Sequence, residues 1–191
     1  MASGTINTNN YTLGGAQLYF DASIGQRTLL VATSFATTAR SLGNIITSGI
    51  TPEITYIDHM VTRKGKQLKD KIAAGLSTLR INFTFDEINS TNLSRFFMGS
   101  LSNGRVNIFA NTLDEGSGML VVETDVGRDI VYRIPRCVIK PDGELSFPGD
   151  SWASAAMVIE VLEYQTGGTD VATQNASWLV FPFGRLDVTT L

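Results

Sequence analysis

The side chains that most often carry nucleophilic and metal chemistry are scarce here: the chain has one histidine, His59, and one cysteine, Cys137. One imidazole and one thiol exclude a structural zinc site built from a Cys/His cluster, and they exclude an internal disulfide. Nucleophilic catalysis would need a base beside a serine or the cysteine, and His59 is the only histidine that could serve. Asp58 precedes it in a strand pattern, where successive side chains point to opposite faces, so the two do not pair directly. Gly149-Asp150-Ser151 has the form of a hydrolase nucleophile block, but no histidine follows it. The segment reads instead as a Pro-Gly-Asp turn. Cys137, in an apolar run between Arg136 and Val138, reads as a buried structural thiol.

Adjacent carboxylates occur at Asp114-Glu115 and Asp86-Glu87. The first lies in a Gly-rich turn, and the second precedes a helical pattern whose dipole favours negative charge, so both fit solvation and capping better than acid/base catalysis. Phosphate-binding glycine motifs and the EF-hand acidic ladder are absent, and no cofactor is expected. Asn82-Phe-Thr84, Asn89-Ser-Thr91, Asn92-Leu-Ser94 and Asn175-Ala-Ser177 match the glycosylation sequon, a pattern that also arises by chance.

One segment concentrates charge. Arg63-Lys64-Gly65-Lys66-Gln67-Leu68-Lys69-Asp70-Lys71 carries five cations and one carboxylate around a glycine, the composition of an exposed loop or hairpin. It has no interleaved aromatic residue to stack bases, which disfavours a nucleic-acid grip. A solvated loop and a contact with the acidic surface of a neighbouring copy are the two remaining roles.

These segments belong to a chain of 191 residues with a net charge of −3, long enough for one domain that buries roughly 70% of its extended surface. Charged residues make up 17% and hydrophobic ones 43%. So few charges suit a surface partly covered by other subunits. The acidic balance, with a pI near 5.1, argues against a protein whose main task is gripping phosphates. No uncharged stretch is apolar enough to read as a membrane span. The first residues lack the basic and apolar regions of a signal peptide, so a protein made and kept in a cytoplasm is expected.

Period-two alternation dominates. Leu79, Ile81, Phe83 and Phe85 fall on one face of a strand, with Arg80, Asn82, Thr84 and Asp86 on the other. Shorter runs at Leu18–Asp21, Leu29–Thr33, Ile54–Met60, Val106–Ala110, Met119–Thr124, Asp129–Ile134 and Trp152–Tyr164 also predict strands, separated by Gly- and Pro-rich turns. The last should be central and covered on both faces. Between them Ile88, Leu93, Phe96 and Phe97 recur at helical spacing, which predicts a short helix over about 88–98, capped by Asn89 or Ser90 and closed by Gly99. The expected fold is mainly β, a sandwich of two packed sheets with that one flanking helix. A single domain over 1–191 is expected, with a polar N-terminal arm over 1–10 and a docking C-terminal segment over about 178–191.

Leu13-Gly-Gly-Ala-Gln-Leu-Tyr-Phe20, Leu42-Gly-Asn44, Ile54-Thr-Tyr-Ile-Asp-His-Met60 followed by Gly65-Lys66 and Asp70, the strand end Phe85-Asp-Glu87, and Asn92-Leu93 together resemble the major tail tube proteins of long-tailed bacteriophages. The resemblance covers roughly the first hundred residues. It implies a β-sandwich with a flanking helix, hexameric rings stacked into a hollow tube through which DNA passes, no enzyme activity and no cofactor. On this basis the partners are other copies of the chain, tail proteins at the tube ends, and DNA that passes without specific binding; no membrane is involved. The location is the virion tail, assembled in the host cytoplasm. Arg63, Lys64, Gly65, Lys66, Leu68, Lys69 and Lys71 are the expected inter-ring contact. The bore should be acidic or neutral so that DNA slides, with Glu53, Asp58, Asp86 and Asp125 as candidates to line it. A tail terminator, the inner tube of a contractile tail, or a carbohydrate-binding β-sandwich using Trp152 or Trp178 are the alternatives. Both tryptophans lie in apolar runs and are expected in a core or an interface.

Overall fold

The computed structural model describes residues 13–25, 27–126, 129–165 and 176–188. Its strands are β1 (Leu13–Asp21), β2 (Ile45–Arg63), β3 (Lys66–Phe85), β4 (Ser100–Ser102), β5 (Arg105–Asn107), β6 (Asp114–Val126), β7 (Ile130–Ser146), β8 (Ser154–Val161) and β9 (Arg185–Val188). Three short helices, α1 (Ala32–Phe35), α2 (Ser90–Phe96) and α3 (Ala176–Val180), and a 3-10 turn at Arg27–Leu30 complete the described elements. The mainly β character and the flanking helix α2 agree with the sequence. The expected polar arm over 1–10 lies outside the described residues.

The large sheet runs β1-β6-β7-β8-β3-β2, with β9 beside the start of β7; β4 and β5 form a separate hairpin. Its strand pairings among the described residues are antiparallel. β7 joins two layers because it is long: Ile130–Ile139 pair with β6, and Cys137–Ser146 pair with β8. One buried cluster takes Leu18 and Phe20 from β1, Leu120 from β6, Ile81, Phe83 and Phe85 from β3, and Met157 and Ile159 from β8. The two halves of the sheet therefore face one another across a shared core, as aligned layers do. On the far face of β6 and β7, Met119 and Val131 meet Leu29, Phe35, Tyr164 and Trp178. Adjacent Met119 and Leu120 serve opposite cores because neighbouring strand residues alternate in direction.

Leu29–Thr33 is not a strand. A strand would turn Val31 to the same side as Leu29, yet Leu29 is buried and Val31 is exposed. The 3-10 turn and α1 bury Leu29 and Phe35 while releasing Val31.

Helix α2 is fixed at both ends. The Asn89 side chain accepts a bond from the Asn92 N–H at 2.9 Å, and the buried Asn92 amide donates to the carbonyls of Leu42 and Glu87 at 3.0 and 3.1 Å. The left-handed residue after the helix is Met98, with φ 46°, and the Gly99 N–H closes the last turn on the Ser94 carbonyl at 2.7 Å. Glycine is needed there for a different reason: a Cβ would sit 2.7 Å from the Asn107 carbonyl oxygen.

Candidate assembly surface

β8 supports β3 only from Leu79 to Phe85, whereas β2 and β3 continue pairing with each other to Arg63 and Lys66. Beyond Pro52 and Leu79 the two strands pair only with one another among the described residues. They form an arm that projects roughly 35 Å at about 3.3 Å per residue. Its turn is Lys64-Gly65, with φ of 50° and 73°. Positive φ at both central residues is the two-residue hairpin geometry that matches strand twist, and Gly65 adopts it without steric cost.

The arm carries apolar side chains that are largely exposed among the described residues. Tyr56 is 63% exposed and Ile57 61%, and Ile54, Met60, Leu68 and Ile72 are exposed as well. Alternation along β2 sets Ile54, Tyr56 and Met60 on one face and Ile57 and Val61 on the other. A solvated strand would show one face free of large apolar groups; this arm carries them on both, interspersed with charge. An isolated two-stranded hairpin is marginal in water, and the outer edge of β2, at the end of the sheet, has no strand paired to it among the described residues. Both features favour association with another chain.

Charge on the arm divides into satisfied and unsatisfied groups. Lys69 Nζ lies 2.6 Å from Asp58, and His59 Nδ1 lies 2.6 Å from Asp70. Arg63, Lys64, Lys66 and Lys71 have no ion-pair partner among the described residues. Where the hairpin rejoins the sheet, charges alternate across four strands. Lys140 Nζ donates to Glu160, Glu160 stands opposite Arg80 in the register, and Arg80 lies 3.3 Å from Glu53. The Lys140 hydrogen bond holds the Glu160 carboxyl below the usual carboxylate range, against the opposing effect of partial burial.

The structure separates the expected bore residues. Glu53 belongs to the charge ladder and accepts a bond from Thr78 Oγ1 at 3.3 Å. Asp58 is out on the arm, on the opposite face of β2 from Glu53. Asp86 lies past the other end of β3 and accepts bonds from Asn44 Nδ2 at 2.8 and 2.9 Å. Asp125 is in β6, and its side chain lies outside the described residues. The expected contact residues do fall together: Arg63, Lys64, Gly65, Lys66, Leu68, Lys69 and Lys71 form the outer part of the arm.

The two tryptophans part ways. Trp178 is 1% exposed, in the second core, whereas Trp152 is 86% exposed in the loop between β7 and β8, close in sequence to an exposed Phe147. Of the expected core or interface position, Trp178 takes the core; Trp152 is in neither core of the subunit, because β8 starts only at Ser154 and Trp152 precedes the covered part of the strand. His59 pairs with Asp70 rather than its neighbour Asp58, as alternation requires. Burial pushes the Cys137 thiol well above the ordinary range, so it stays protonated and unreactive. Among the described residues no group of His, Cys, Asp and Glu is placed to hold a metal ion.

No protein-family model matches the chain, and no curated protein does. Solved structures do. A chain of the virion of a native gene transfer agent (GTA) particle is similar at 10% identity and a TM-score of 0.42, over 92% of this chain and 95% of that one. A chain of the tail of an empty GTA particle, computed with helical refinement and C6 symmetry, is similar at 11% identity and a TM-score of 0.38, over 64% of this chain and 81% of that one.

Proposed function

We propose that the chain is a structural virion protein, not an enzyme, that polymerises into stacked hexameric rings forming a phage tail tube, the conduit for DNA ejection. The observation that carries this is the arm: two strands with exposed apolar side chains on both faces and, among the described residues, no strand paired to them but each other. Such an element is stable when neighbouring copies cover it. The motifs shared with tail tube proteins over the first hundred residues add the specific architecture. Assembly of copies with one another and with tail proteins at the tube ends, in the virion, follows from that architecture.

The bore is assigned to the solvent face of β2, β3, β8 and β7, where Lys140, Glu160, Arg80 and Glu53 offset one another strand by strand. Each cation there has a carboxylate neighbour, so a passing phosphate meets little uncompensated positive charge. Of the four bore candidates this keeps Glu53. Electron microscopy of the purified protein, alone and with the other tail proteins, tests the assignment. Six-fold rings or tubes are expected; a subunit that stays monomeric under both conditions overturns it, and a bore lined mainly by Arg and Lys overturns the bore assignment.

An exposed Trp152 favours one second reading, a saccharide platform, and binding to immobilised glycans distinguishes it.

A further inference from the structure

The arm and the Phe147–Trp152 loop lie at opposite ends of the sheet. Across one end the register aligns Ile45, Phe85, Ala155 and Leu145, and the loop from 147 to 153 continues past that line. Phe147 is 70% exposed there and Trp152 86%. Asp142, Glu144 and Asp150 are close in sequence to the two rings, all exposed and without an ion-pair partner among the described residues. Asp142 and Glu144 are pushed outward because the β7–β8 register jumps between Pro141 and Leu145. The other end carries the arm tip: Arg63, Lys64 and Lys66, with Leu68 and Met60 as exposed apolar neighbours.

We propose that the Phe147–Trp152 loop is the docking surface for the arm tip of a second copy. This rests on the self-assembly reading above and names the surface that receives the arm. Each end presents apolar groups ringed by charge, and the charges are opposite in sign, the complementarity that steers and registers an interface. The cationic tip also suits the face of an indole ring. Contact within one chain is excluded by length, since β3 alone runs 20 residues from Lys66 to Phe85, roughly 60 Å at about 3.3 Å per residue. A head-to-tail contact between different surfaces propagates from copy to copy instead of ending at a dimer.

The test uses two full-length variants: Asp142→Lys with Glu144→Lys and Asp150→Lys, and Arg63→Glu with Lys64→Glu and Lys66→Glu. The first has two cationic ends and the second two anionic ends. Each alone is expected to lose pelletable assemblies by about tenfold or more, and an equimolar mixture is expected to recover them, because every tip then finds an acceptor of opposite sign. If the arm variant fails while the loop variant assembles normally, the proposal is overturned and the self-assembly reading stands. If both assemble normally, the arm contact falls as well. Two folded variants whose mixture stays inert also overturn the proposal. Should a charge variant not fold, Phe147→Ser with Trp152→Ser, at exposed positions, replaces it: weakened assembly is expected. Normal assembly overturns the proposal, and normal assembly with loss of a wild-type affinity for glycans reassigns the loop to saccharides.

Discussion

Lys69 Nζ lies 2.6 Å from the Asp58 carboxylate across the two strands of the arm, while Arg63, Lys64 and Lys66 beyond it have no such partner among the described residues. The basic segment therefore contains one cation satisfied within its own chain and several open to a neighbour. Lys69→Met removes an exposed pair of about 0.2–1 kcal/mol and is expected to leave assembly near the wild-type level. Arg63→Glu, Lys64→Glu and Lys66→Glu together are expected to keep the circular dichroism spectrum and to lose assembly. Sedimentation of the two side by side checks this; equal behaviour contradicts it.

The tryptophans give a contrast in stability. Trp178→Ala empties a buried site in the second core and is expected to cost about 3–5 kcal/mol. Trp152→Ala removes a side chain that packs on little, and its effect on subunit stability is expected within about 0.5 kcal/mol. Urea unfolding of each variant under conditions that keep the subunit free measures both.

Glu160 provides a pH signature. Its folded carboxyl titrates below the ordinary value of 4.5 because Lys140 donates to it. Its contribution to stability is present above that value and lost as pH falls through the lowered folded one. Lys140→Met is expected to raise the Glu160 titration toward 4.5 and to flatten this part of the acid dependence. Carbon-detected NMR titration of the Glu160 carboxyl checks it, and an unchanged midpoint contradicts it.

Strands that bury one face were legible in the sequence. Ile81, Phe83 and Phe85 all sit in the core as their alternation required, and α2 keeps its Asn89 cap. The arm was legible at its tip, where Gly65 and the flanking cations mark a hairpin, and in the run Ile54–Met60, which predicts a strand. Its length was hidden on β3, where the segment from Lys69 to Ser77 mixes charges, alanines and a glycine and does not alternate as a half-buried strand does. Leu29–Thr33 misleads for the opposite reason, since a short apolar run fits a strand or a helical turn until its packing partners are known. The loop at Phe147–Trp152 acquires meaning only from register, which places it at the far end of the sheet from Lys64.

The account depends above all on the arm being covered by another copy. Amide hydrogen exchange over Glu53–Arg63 and Lys66–Ser77, compared between free subunits and assembled particles, measures that directly. The arm amides are expected to exchange rapidly in the free subunit and to slow by about tenfold or more on assembly, reporting closure of a locally unstable element. Assembled particles whose arm amides exchange as fast as those of the free subunit would contradict the account.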